Sequence, residues 1–286
     1  MCIAVILVLC SGVFAAGTTL PKGSMTINPK DGAVMVWVPA GWFIMGSTDT
    51  QITSALNDIS KNMRYGEEDY FNAEKPQKKA YLDGYWMYKY EVTVAQYRKF
   101  CDATKRTMPE APSWGWINDH PITNMTWQDA TDYANWADVS LPTEAQWEKA
   151  SRGTDGRLYP WGYKWDASKC ANSVENPSKS TMPVGSYPAG ASPYGCMDMS
   201  GNVWEWCADW YDEKYYKNAP VRNPTGPSKP VELKAWGVSV SGSRVLRGCS
   251  WTSSIYYNFR CASRNCNYLT VLPYKNDYGF RCAKNQ

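Results

Sequence analysis

The sequence predicts an α+β fold of few helices, short strands and long ordered loops. Three observations carry this: short apolar runs around turn residues early in the chain, three capped segments of helical periodicity between positions 93 and 153, and a Gly-, Pro-, Asn- and Trp-rich remainder without that periodicity. Length alone, at 286 residues, allows one large domain or two average ones and is ample for a core.

The elements follow in order. Residues 1–17 hold the apolar run Ile3-Ala4-Val5-Ile6-Leu7-Val8-Leu9 and end in small residues, too short for a membrane span of about 20 apolar residues and suited to an export signal. Cleavage after Ala15 or Ala16 and lipidation at Cys10, which ends a loose lipoprotein box, are both open. Export places the protein at the cell surface or in the outer membrane or periplasm, with a lipid on Cys10 as its only membrane contact. From Ala33 to Met45, Val36 and Val38, then Trp42 to Met45, read as two short strands around Pro39-Ala40-Gly41. Ser47 to Asn72 is polar and reads as a long surface excursion. Thr93 opens a helix with Tyr97, Phe100 and Cys101 on one face; Thr126 and Asp129 open another with Ala130, Tyr133, Ala134 and Ala137 inward. Thr143 and Gln146 form a capping box ahead of Trp147 and Ala150, and Gly153 stops that helix. Further short strands are expected at Arg244–Arg247 and Tyr278–Ala283.

Composition narrows the function. With 15 Trp and 20 Tyr against 6 Phe, most aromatic surface carries a polar handle that needs a partner when buried. Net charge is +3 and the basic residues are scattered, which excludes a nucleic-acid footprint. The one histidine, His120, removes His-rich metal sites and a Ser-His-Asp triad. Apart from Cys2 and Cys10 there are eight cysteines with no C-x-x-C pair, so zinc ribbons and dithiol redox motifs are disfavoured. Disulfides and buried free thiols are equally ordinary fates for them.

The last forty or so residues, Ser243 to Gln286, are a frame of Arg, Gly, Trp and Phe filled with Tyr, Asn, Ser and Thr. Such filling makes adaptable contacts at low entropic cost and points to recognition more than catalysis.

Several segments together resemble the formylglycine-generating enzyme, or sulfatase-modifying factor, superfamily, whose fold is C-type-lectin-like. They are Trp42-Phe43-Ile44-Met45-Gly46, Tyr88 to Thr93, His120 to Trp127, Leu141 to Glu148, Tyr159-Pro160-Trp161-Gly162, Pro183 to Tyr187, Gly201 to Trp206 and Arg244 to Gly248. The ordered set covers about Met35 to Ala283, which implies one domain over residues 33–286. Enzymes of the superfamily hold copper between two cysteines a few residues beyond the Gly-Gly-Ser-aromatic motif. Here the run Thr252 to Phe259 has no cysteine and Cys249 replaces a glycine of the motif, so no copper and no enzyme activity are expected. An oxidase of the formylglycine type, or a degenerate one, is the alternative. The filling is similar to that of variable proteins diversified by retroelements, which implies an exported, non-catalytic scaffold binding a protein, glycan or small molecule. Its contacts would be Thr252, Ser253, Ser254, Tyr256, Tyr257, Asn258, Ser263, Asn265, Asn267, Tyr268, Thr270, Tyr274, Asn276, Asp277 and Tyr278. Trp251 is assigned to the frame, and Arg247, Arg260, Arg264 and Arg281 to the scaffold. The resemblance also implies a structural calcium at the side chains of Asp198 and Glu205 and the carbonyls of Gly201 and Val203.

Overall fold

The computed structural model describes residues 20–59, 71–174, 179–235, 238–268 and 276–286. The export signal expected over 1–17 lies outside them.

The strands form two four-stranded sheets and two pairs. β1 (Met25–Ile27), β2 (Val34–Val38), β5 (Tyr85–Tyr88) and β12 (Ala283–Asn285) make one antiparallel sheet in that order. The second has the order β10 (Asn265–Tyr268), β9 (Ser243–Arg247), β6 (Trp204–Trp210) and β11 (Tyr278–Gly279), with β11 parallel to β6 and the other pairs antiparallel. β3 (Gly41–Met45) pairs with β4 (Lys78–Leu82), and β7 (Glu232–Ala235) with β8 (Val238–Ser241). The two strands expected around Pro39-Ala40-Gly41 therefore part at the turn and enter different sheets.

Three helices form where their caps predict. In α2 (Val94–Thr104), α3 (Trp127–Trp136) and α4 (Glu144–Arg152), Thr93, Thr126 and Thr143 each accept the N3 amide while the N3 side chain answers the cap amide. That reciprocity satisfies two amides the helix itself cannot. Lys105 at φ 59° ends α2, and Gly153 at φ 73° ends α4. The inward faces are those expected, and α4 is buried along its whole length, including Glu144, Glu148, Lys149 and Arg152. It packs against β3, β6 and β9.

Two expectations are corrected. The stretch from Ser47 contains a helix, α1 (Asp49–Ile59), whose Ile52 and Ala55 are buried with Phe71 and Tyr257. Beyond Gly153 the chain is less loop-like than its composition implies, because β6 runs for seven residues through the middle of the second sheet.

The core has two large parts. One gathers Tyr97, Phe100, Tyr133, Trp206, Leu246 and Phe280; the other gathers Val36, Phe43, Met87, Trp147 and Val245. β6 and β9 contribute to both, so the C-terminal segment is built onto the strands that join the two parts.

Candidate recognition site

The frame of the C-terminal segment is held by buried guanidiniums. Arg247 donates Nη2 to Glu148 Oε2 at 2.6 Å and to the Cys261 carbonyl at 2.9 Å, and Nη1 to the carbonyls of Ala262 and Ser263. Arg264 grips Glu144 with two bonds of 2.7 and 2.8 Å and reaches the Ala73 carbonyl. Arg260 grips Glu74 through bonds of 2.8 and 2.6 Å and donates Nε to the Tyr257 carbonyl. Arg281 grips Glu205 at 2.6 and 2.7 Å and donates to the Met197 carbonyl. Planar, always-charged donors suit this double task of neutralising a buried carboxylate and fixing loop carbonyls. The scaffold role expected of these four arginines is the one they have.

Along this frame the predicted contacts divide by exposure. Thr252, Ser254 and Asn276 are exposed, and Ser253, Tyr256, Asn258, Asn265 and Asp277 are half-buried. Four others are corrected. Tyr257 packs on Phe71 with ring centres 5.2 Å apart; Ser263 is buried with its carbonyl on Arg247; Asn267 is buried in β10 opposite Arg244; and Tyr278 is buried in β11 against Trp206. Their polar atoms misled because buried Tyr, Ser and Asn are tolerated when hydrogen-bonded. Thr270, Tyr274 and the side chain of Tyr268 lie outside the described residues.

At the head of the loop the Ser250 and Thr252 hydroxyls stand 2.9 Å apart, each within reach of Asp277 Oδ2 at 3.0 and 3.1 Å. This joins the 250s to the 270s, a link no local pattern announces. Cys249, at φ 66°, occupies the left-handed region that a glycine takes without cost. Burial pushes its thiol up to about 12.

Aromatic rings flank the loop. Trp251 meets Trp114 edge to face at 5.6 Å. At the other end Tyr256 lies 6.4 Å from Trp165, which belongs to a cluster with Tyr159 and Trp161. Trp114, Trp161, Trp165 and Trp251 are half-exposed. Of these, Trp161 belongs to the Tyr159–Gly162 motif and Trp251 to the frame, and no motif singles out Trp114 or Trp165.

The residues assigned to calcium do not make an open cage. Both oxygens of Glu205 are taken by Arg281, and Oε2 also accepts from Trp147 Nε1 at 2.8 Å. Asp198 Oδ2 accepts from the Gly185 amide at 2.6 Å. Glu91, beside Asp198, is buried with no donor on either oxygen; burial and the Asp198 charge push its pKa well up. Gly201 donates its amide to the Gly248 carbonyl, and Val203 is wholly buried. Among the described residues no group of three or more His, Cys, Asp or Glu is arranged to hold a metal ion. His120 is buried, with Nδ1 2.9 Å from the Thr181 hydroxyl, and burial lowers its pKa.

With this arrangement of two sheets, arginine-pinned loops and a fully buried helix in view, sequence comparison supplies the class: the chain belongs to the sulfatase-modifying factor enzyme 1-like domain family, matched over residues 21–286. Formylglycine-generating enzyme of Bos taurus is 28% identical over 316 residues, covering 90% of this chain and 76% of that protein. Hercynine oxygenase of Mycolicibacterium smegmatis is 30% identical over 269 residues, covering 82% and 57%. Among solved structures, PvdO from Pseudomonas aeruginosa superposes with a TM-score of 0.70 at 22% identity, over 94% of this chain and all of that one. Treponema denticola variable protein 1 gives 0.64 at 18%, over 92% and 99%. These structures bear out the C-type-lectin-like α+β fold. The relatives overturn one expectation, that the chain stands outside enzyme chemistry: the curated proteins similar to most of it are named as enzymes. The missing cysteines in the run 252–259 were too narrow a ground for that exclusion, since one absent ligand pair removes one chemistry and not every reaction a fold can host.

Proposed function

We propose that this protein recognises a ligand after export, through the surface built by residues 251–258 together with Asn265, Asn276 and Asp277. The observation that carries the reading is a division of labour within one segment. Its exposed and half-exposed positions are mostly small hydroxyls, amides and amphipathic rings, while Arg260 on buried Glu74 holds the Tyr257 carbonyl and Arg247 on buried Glu148 holds those of residues 261–263. Preorganised backbone lowers the entropic cost of binding, and Tyr, Ser and Asn side chains can then adapt to the partner.

The test compares two sets of variants. Thr252→Ala, Ser254→Ala and Asn258→Ala are expected to keep thermal stability within about 0.5 kcal/mol and to change which members of displayed peptide and glycan libraries are retained. Tyr257→Ala, buried against Phe71, is expected to cost roughly 3–5 kcal/mol. Loss of fold in the first set, or an unchanged ligand profile, would sink the proposal. A parallel assay of thiol loss from cysteine-containing peptides reads any oxidase activity directly.

A further inference from the structure

We infer that the ligand is a neutral oligosaccharide lying across the loop 251–256, an inference that rests on the recognition reading above. Three features select this chemistry. The first is the arrangement of rings: half-exposed Trp114 and Trp251 stand at the start of the loop, and half-exposed Trp161, Trp165 and Tyr256 at its end. Aromatic faces separated along a loop suit an extended ligand that offers repeated C–H-lined faces, as pyranose rings do, because those hydrogens pack against the negative face of the ring. Here Trp114 and Trp251 pack on each other at 87°, and the others lie at the far end of the loop.

Charge is the second feature. The run Trp251-Thr252-Ser253-Ser254-Ile255-Tyr256-Tyr257-Asn258 contains no ionisable acid or base apart from its two tyrosines. Asp277 is the carboxylate that reaches it, through the Ser250 and Thr252 hydroxyls. One carboxylate bracketed by hydroxyls is a set of acceptors and donors for sugar hydroxyls, whereas the run itself holds no cation to answer an anionic ligand.

Backbone use is the third. A peptide binding as an added strand needs free amides and carbonyls along an edge. In this loop the amides of Ser253, Ile255, Asn258 and Arg260 are already donated, to Ser250 O, Ser253 Oγ, Ile255 O and Tyr257 O. With those four amides taken, the loop meets a ligand chiefly through side chains and ring faces.

The experiment titrates the full chain with uncharged hexasaccharides of glucose, N-acetylglucosamine, mannose and galactose, following tryptophan fluorescence and calorimetric heat. At least one series is expected to saturate. Trp161→Ala and Trp114→Ala are expected to weaken it roughly 3- to 10-fold each, the scale of one aromatic contact. Asp277→Asn is expected to weaken it about 10-fold, the difference between a charged and a neutral acceptor. Melting curves confirm that each variant is folded, and Trp161→Phe, which keeps a ring, is expected to recover part of the loss. No saturable binding in any series up to about 10 mM, well above a millimolar dissociation constant, overturns the saccharide assignment. If displayed peptides are then captured and lost in Thr252→Ala and Ser254→Ala, the saccharide inference fails while the recognition surface stands. If those two variants alter neither ligand type, the recognition surface fails as well.

Discussion

At the scale of single residues, buried charge decides behaviour. Asp209 is buried in β6, its Oδ2 accepting from the Glu144 amide at 2.9 Å, and burial together with the Glu144 charge pushes its pKa up to about 8. A carboxyl whose folded pKa lies above its ordinary value near 3.8 favours the fold while protonated. That contribution is complete below the ordinary value and is lost as pH climbs towards 8. Asp209→Asn keeps an acceptor for the Glu144 amide and cannot ionise. Melting temperatures between pH 4 and 8 are expected to fall less steeply in the variant, which should be the more stable protein at pH 8. Glu148 is held by partners on both oxygens: Oε1 accepts from Gly46 and Arg152 and Oε2 from Arg247 and Tyr216. Glu148→Ala strands two guanidiniums in the core and is expected to cost roughly 3–5 kcal/mol in urea melts, the scale of a broken buried pair.

At the scale of elements, legibility followed local chemistry. The helices opened by Thr93, Thr126 and Thr143 could be read because a capping box is written in four consecutive residues. The same signal stood at Thr48 and Gln51, which exchange reciprocal bonds of 3.0 and 3.1 Å ahead of α1, but weak apolar periodicity hid it. Replacing Thr93 or Thr143 by alanine is expected to lower stability by about 1 kcal/mol each in denaturant unfolding. β6 was illegible for another reason. Glu205 and Asp209 interrupt its apolar run and read as loop residues, yet both are buried, and the partner that makes Glu205 tolerable, Arg281, lies 76 positions away. The loop proposed for recognition was legible in composition and only partly in geometry. Nothing near Tyr257 or Tyr278 distinguishes a ring that faces Phe71 or Trp206 from one that faces solvent, because those partners are distant in sequence.

For the whole molecule, the eight cysteines in the described residues are free, and all but half-buried Cys266 are buried. Burial pushes the thiols of Cys170 and Cys249 up to about 12 and that of Cys261 up to about 11. A thiol reagent at neutral pH is therefore expected to label the folded protein slowly and to count the full set only after unfolding. The scaffold also carries a schedule. The partners that neutralise Glu148, Glu144 and Glu74 lie 99, 120 and 186 residues further along the chain. At 5–20 residues per second on the ribosome, the first of these waits alone lasts roughly 5–20 s. During that interval Glu148 has only Arg152 of its own helix and Glu144 has no counter-charge, so a chain truncated before Ser243 is expected to show no cooperative unfolding transition. Folding of the body is thus tied to the arrival of an intact final segment.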